Sequence, residues 1–135
     1  MFQRKQTVFL IFALFANGFF FVFPVDNHAK DDPQQWIYYL LVGSIALACF
    51  FQFFALISFK NRARQIRVIR FGELPQIVAF GSALGVVFSL GGIGSFLWDE
   101  ILATALLFCA LLFALLAAQA VKKDEKLVRS MDRIR

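Results

Sequence analysis

The sequence lacks charge in the places where it is most apolar. No Asp, Glu, Lys, Arg or His lies within four long hydrophobic runs, which cover residues 7–25, 36–59, 77–97 and 101–121. A helix crosses a hydrocarbon core of ~30 Å in ~20 residues, so each run is long enough to span a membrane. Only 17% of the residues are charged, against ~25% in an average soluble domain. We therefore predict an all-α membrane protein, a bundle of four transmembrane helices in a single domain over residues 1–135.

The chain also lacks the residues that familiar four-span chemistries require. Its two cysteines, Cys49 and Cys109, each lie within a run, so paired cysteines for quinone-linked disulfide exchange are missing. The single histidine, His28, falls in a loop, which excludes a haem held by two histidines within the spans. No run offers an ionisable group for a proton-coupled exporter, or a base beside a nucleophile for an intramembrane protease. We expect no enzyme activity, no cofactor and no metal site.

Basic residues are distributed very unevenly. Thirteen of the fourteen Lys and Arg residues lie at the N-terminus, in segment 60–73 or in the tail 122–135, and only Lys30 lies elsewhere. With four spans these three segments share one side, and the positive-inside rule places that side, with both termini, in the cytoplasm. The formal charge of +5 then reflects topology and contact with anionic lipid headgroups, not nucleic-acid binding.

The ends of the runs also carry signals. The first run follows Arg4-Lys5 as a signal peptide would, but it is nineteen residues long and ends without a small-x-small site, which predicts a retained span. Asp32-Pro33 reads as the start of the second helix, and Pro75 is expected to play a similar early-helix part in the third.

Small residues recur at four-residue spacing in the last two runs. Such residues let helix backbones approach closely in a membrane. We expect the two faces to meet within the bundle or to form a seam between two copies of the chain. The residues concerned are Gly81, Gly85 and Ser89 in one run and Ala110, Ala114 and Ala118 in the other.

Three amide side chains, those of Asn17, Gln52 and Gln119, remain inside the runs. An amide in hydrocarbon gains ~0.6–2 kcal/mol from a partner on another helix. Interhelical hydrogen bonding is therefore the favoured interpretation, and a substrate site the weaker one.

Two segments on the basic side, 60–71 and 122–135, look amphipathic. Each is expected either to lie along the membrane interface beside anionic lipid or to offer a docking face to a protein partner. In the tail, acids alternate with basic residues beside an apolar stripe, which a plain topology anchor does not need. We expect it to be a helix that continues the fourth span or bends onto the membrane, and to pair with segment 60–73 or with a partner. The candidate interaction residues are Arg62, Arg64, Arg67, Asp124, Glu125, Arg129, Met131, Asp132 and Arg133.

Three segments together resemble a known family. The start, Met-Phe-Gln-Arg-Lys-Gln-Thr, is similar to its pattern of an aromatic or aliphatic residue and then Gln-Arg-x-Gln-Thr, although Lys5 stands where an aliphatic residue is expected. Segment 59–67 is similar to its central loop, and 123–135 to its terminal signature. The family is the domain of unknown function 4293, four-span inner-membrane proteins of Gram-negative bacteria. The resemblance implies a bacterial inner-membrane location and brings no activity or site residue.

Two functions remain open from the sequence. The favoured one is an accessory or scaffold subunit of the inner membrane, with a membrane-protein partner or a second copy of the chain. The alternative is a small transporter or lipid-handling protein, which the amides within the runs would serve.

Overall fold

The computed structural model describes residues 5–23, 35–89 and 98–132. Helix α1 is Lys5–Phe20 and α2 is Gln35–Ile57, which a short 3-10 turn, Ser58–Lys60, extends. Helix α3 is Arg62–Ser89, and α4 is Trp98–Asp132. Within these residues no strand occurs, so the all-helical class is confirmed.

Three of the four helices are long and apolar enough to cross a membrane. They are α2 with its 3-10 extension, α3 and α4. Helix α1 is apolar but has only 16 residues, a length of about 24 Å. A span that begins with α1 therefore stays a prediction. The proposed start of the second helix, Asp32-Pro33, lies outside the described residues.

Helix α3 begins well before the predicted third span. It starts at Arg62, where the backbone N–H of Arg64 donates to Oδ1 of Asn61 at 3.1 Å and so caps the first turn. The basic segment is thus the first turns of α3 and not a separate helix along the interface. The early-helix role expected for Pro75 is wrong, because this proline lies inside α3 with more than three turns before it. Residues buried at helical spacing, Gln65, Ile69 and Gln76, continue through it.

Helix α4 runs without a break through the tail to Asp132. Its 35 residues make a rod of about 52 Å, which exceeds a ~30 Å hydrocarbon core by about 20 Å. Asp99 and Glu100 lie in its first turn, where negative charge stabilises the positive end of the helix dipole. The opposite end of the helix carries the basic residues of the tail.

The helices pack in the order α2, α3, α4, α1, and of the adjacent pairs α1 and α2 have the least contact. Two apolar clusters form the core. We call the end of the bundle that carries Lys5, Lys60 and Lys122 the basic end. The basic-end cluster is Leu10, Ala55, Ile69, Ala117 and Val121. The far cluster is Phe20, Leu41, Ile45, Ala79, Ala83, Val86, Ala103 and Leu107.

The two predicted small-residue faces do not meet within the chain. Ala110 and Ala114 are buried and Ala118 is partly buried, but Gly81, Gly85 and Ser89 all lie on the exposed side of α3. A Cβ atom built on Gly81 or Gly85 would meet nothing within 4 Å. The expectation of a contact inside the bundle is therefore wrong for α3. A seam between two copies stays a prediction.

Candidate functional site

Three amide side chains from three helices meet in the middle of the bundle. Nδ2 of Asn17 on α1 donates to Oε1 of Gln76 on α3 at 2.9 Å and to Oε1 of Gln52 on α2 at 3.2 Å. Gln76 returns a bond from its Nε2 to Oδ1 of Asn17 at 3.0 Å. Nε2 of Gln52 donates to Oε1 of Gln76 at 3.2 Å. We call these three residues the amide cluster.

The fourth helix joins this cluster through its backbone. Nε2 of Gln76 also donates to the carbonyl oxygen of Leu107 on α4 at 3.3 Å. All four helices are thus tied at one level, and Gln76 is the residue they share. Each side-chain oxygen of the cluster accepts at least one hydrogen bond. A closed network of this kind removes the penalty of burying amides in an apolar interior.

The amide cluster lies between the two apolar clusters. On α3, Gln76 is seven residues from Ile69 in the basic-end cluster and seven from Ala83 in the far cluster, which is about 10 Å each way. Asn17, Gln52 and Gln76 are each at most 2% exposed. A polar layer within apolar packing fixes the register of the four helices, because sliding any one of them would break several bonds.

Sequence reasoning found two members of the cluster and missed the third. Asn17 and Gln52 were expected to have interhelical partners, and they do. Gln119 was placed with them, but its side chain is exposed on α4. Gln76 escapes this reasoning because it lies one residue before the third apolar run, which begins at residue 77. The 4-3-4-3 spacing of Gln65, Ile69, Gly72, Gln76 and Ala79 could have shown that one buried face continues through this position.

Polar groups are also buried nearer the basic end. Nε2 of Gln65 donates to the carbonyl oxygen of Ala55 at 3.1 Å, which links the start of α3 to the end of α2. Glu73, one turn before Gln76, is partly buried, and its Oε1 has no hydrogen-bond partner within the described residues. The sequence places Glu73 in a loop, whereas the structure places it on the helix that carries the amide cluster.

Two ion pairs organise the predicted interaction residues. The guanidinium of Arg62, at the start of α3, lies 3.8 Å from the carboxylate of Asp124 on α4. One turn further, Nη2 of Arg129 donates to Oε1 of Glu125 at 2.8 Å. The first pair joins segment 60–73 to an acid of the tail, which is one of the two arrangements expected. Because both groups are partly exposed, the pair orients α4 more than it stabilises the fold.

The other predicted interaction residues lie on the surface. The guanidinium of Arg64 lies 5.1 Å from the centre of the Phe54 ring, a cation–π contact between α3 and α2. Arg67 is exposed, and Met131 is 63% exposed. Asp132 ends α4, but its side chain, like the whole of Arg133, lies outside the described residues.

The cysteines and acids do not converge. Cys49 is partly buried, Cys109 is exposed, and both are free thiols. Within residues 5–23, 35–89 and 98–132, no three His, Cys, Asp or Glu side chains lie close enough together to hold a metal ion. His28 lies outside this range.

A protein-family model described as a domain of unknown function, DUF4293, matches residues 29–134. The match covers α2, α3 and α4 and begins after α1, so the resemblance at residues 1–7 lies outside it. No curated protein and no solved structure matches the chain.

Proposed function

The chain belongs to the DUF4293 family, a domain of unknown function, and on that premise we propose that it is a non-enzymatic membrane subunit that holds a partner protein at its basic end. The proposal includes four spans, a bacterial inner-membrane location and a cytoplasmic basic end. The observation that carries it is the length of α4, whose 35 residues make a rod about 20 Å longer than a ~30 Å hydrocarbon core, and on this proposal the surplus projects at the basic end.

The projecting part of α4 has the features of a recognition helix. Leu127 and Met131 are 56% and 63% exposed and lie one turn apart on the same side. Lys126 and Arg129 are their neighbours in sequence, and Glu125 pairs with Arg129. An exposed apolar pair beside ordered charge is typical of a helix that lays its apolar face into a partner's groove. A topology anchor needs only Lys or Arg near the span end.

The rest of the bundle supports this role as a rigid base. The amide cluster ties α1, α2, α3 and α4 together, and the Arg62–Asp124 pair orients the root of the projection. Asn17, Gln52 and Gln76 use their polar atoms on one another and are fully buried, so none of them lines an open path. This arrangement favours a scaffold over a transporter that would need these amides to contact a substrate.

The test is purification of the full-length chain from its native membranes in mild detergent. We expect one partner protein at constant stoichiometry with the wild type, and its loss with Met131→Asp or after truncation following Lys126. Lys122→Gln is the matched control, because it changes the net charge by the same amount at an exposed position on the opposite side of α4, and it should keep the partner.

The proposal fails if the truncated chain recovers the same assembly as the full-length chain. It fails equally if the wild type is monodisperse and alone across several gentle extractions. Insertion should be normal in all three variants, because the apolar parts of the helices are unchanged, and membrane fractionation checks this.

A further inference from the structure

We propose that the outward face of α3 binds one anionic phospholipid, with its phosphate at Arg64 and Arg67 and an acyl chain along the apolar residues that follow. This site is separate from the projection of α4. It is a defined position for one lipid, which general attraction between a basic protein and an acidic membrane does not provide.

The exposed residues of α3 form a single stripe. Arg64, Arg67, Phe71, Leu74 and Val78 follow one another at spacings of three or four and are all exposed, so they share one side of the helix. That side points away from the buried face that carries Ile69 and Gln76. The stripe therefore begins with two cations and continues as an apolar surface, which is the order of a phospholipid headgroup and its chain.

The dimensions of the stripe match one leaflet. A hydrocarbon core of ~30 Å gives each leaflet ~15 Å, the length of about ten helical residues. Ten residues separate Phe71 from Gly81. An acyl chain that starts beside Phe71, one turn after Arg67, thus ends near Gly81. There the missing side chain leaves open space beside the backbone.

The charge at the start of α3 also favours a bound anion. Four arginines lie among residues 62–70, and the first turn of the helix contains no acid. The start of a helix carries partial positive charge, so arginines there repel it unless an anion lies nearby. Asp124 is paired with Arg62, and within the described residues Arg64 and Arg67 have no acidic partner.

One of the two arginines is already ordered. The contact of Arg64 with the Phe54 ring holds its guanidinium beside α2, which reduces the entropy that binding would otherwise cost. Arginine suits a phosphate because its planar group donates two parallel hydrogen bonds to phosphate oxygens.

The test is native mass spectrometry of the purified, delipidated full-length chain with phosphatidylglycerol or phosphatidylcholine added in equal amounts. We expect one phosphatidylglycerol to be retained in preference to phosphatidylcholine. The double variant Arg64→Gln/Arg67→Gln should retain it at least tenfold less, because each basic residue near an anionic surface contributes about fivefold. Arg64→Lys/Arg67→Lys should keep part of the preference and shows that the site tolerates substitution.

Lys122→Gln/Lys126→Gln is the matched control, since it removes two charges from α4 at the same end of the bundle. It should retain phosphatidylglycerol like the wild type. Equal loss in this control would overturn the proposal in favour of general attraction, and so would equal retention of the two lipids by the wild type. Displacement of phosphatidylglycerol by millimolar inorganic phosphate would show that the site binds a free anion, and it would overturn the proposal of a lipid ligand.

Discussion

Replacing Gln76 by methionine tests whether the amide cluster holds the bundle together. Methionine keeps the length and flexibility of glutamine but cannot form its hydrogen bonds. The change removes four bonds, two with Asn17, one with Gln52 and one with the carbonyl of Leu107. No other side chain contacts α1, α2 and α4 through so many bonds within the described residues, so this substitution is the most damaging one available in the cluster.

The expected loss of stability has two sources, the hydrogen bonds that are removed and the buried polar atoms that lose their partners. Side-chain hydrogen bonds between membrane helices average about 0.6 kcal/mol each, so four contribute about 2.4 kcal/mol. Oδ1 of Asn17 then loses its donor and Nε2 of Gln52 its acceptor, and each unpaired buried group costs at least about 1 kcal/mol. We therefore expect Gln76→Met to lower the free energy of unfolding by about 4 kcal/mol.

The measurement is reversible unfolding of the purified chain by sodium dodecyl sulfate in mixed micelles, followed by far-UV circular dichroism. Gln119→Met is the matched control, because Gln119 is exposed on α4 and should change stability by less than about 0.5 kcal/mol. Asn17→Ala combined with Gln76→Met should cost clearly less than the two single losses together, since they share bonds.

Two results would refute this reasoning. If Gln76→Met were as stable as the wild type, the cluster would contribute nothing net. If the losses in the double variant were simply additive, the two amides would not be coupled, and the hydrogen bonds between them would not be the source of either effect.

Three further predictions concern packing, assembly and topology. Gly72→Ala should lower the free energy of unfolding by about 1–3 kcal/mol in the same assay. The new Cβ would lie 2.9 Å from Cβ of Phe51, so α3 and α2 would have to separate. Unchanged stability would contradict this close approach. Gly85→Leu should not destabilise the single chain but should reduce a dimer measured by sedimentation in detergent. A wild type that is monomeric throughout would exclude the seam. With the two native cysteines replaced, Arg67→Cys should react only from the cytoplasm and Phe96→Cys only from the other side, and one label on the wrong side would overturn the topology.

The helices could be predicted because their signal is local. Long apolar runs without charge are sufficient to indicate α2, α3 and α4, and the acids before α4 mark its start. The interhelical bonds of Asn17 and Gln52 also followed from composition, because an amide among apolar residues requires a partner. None of these inferences depends on how the helices are arranged around one another.

The hydrogen-bond partners of these amides could not be predicted, because they depend on the register of the helices relative to one another. Pro75 and Glu73 both indicate the start of a helix when only neighbours in sequence are considered. The fold keeps α3 continuous because Ile69 and Gly72 before the proline and Gln76 and Ala79 after it are buried along one face. Packing with α2 and α4 outweighs the backbone hydrogen bond that a proline removes.

Small-residue spacing did not decide between the two locations predicted for the α3 face, because it does not indicate which neighbour approaches. In the core, alanine provides the close packing, as at Ala48, Ala79 and Ala110. Among the described glycines only Gly72 has another helix against it, while those at 18, 43, 81 and 85 have open space where a side chain would be. A glycine within a helix costs about 1 kcal/mol relative to alanine, so the fold of a single chain would be more stable with alanine at these four positions. What the outward glycines provide is room beside the backbone on the surface that meets lipid or another helix. Of the four, Gly81 adjoins the proposed lipid site and Gly85 the proposed seam. Lipid retention therefore tests whether a lipid occupies the space beside Gly81, and dimer sedimentation tests whether a second copy occupies the space beside Gly85.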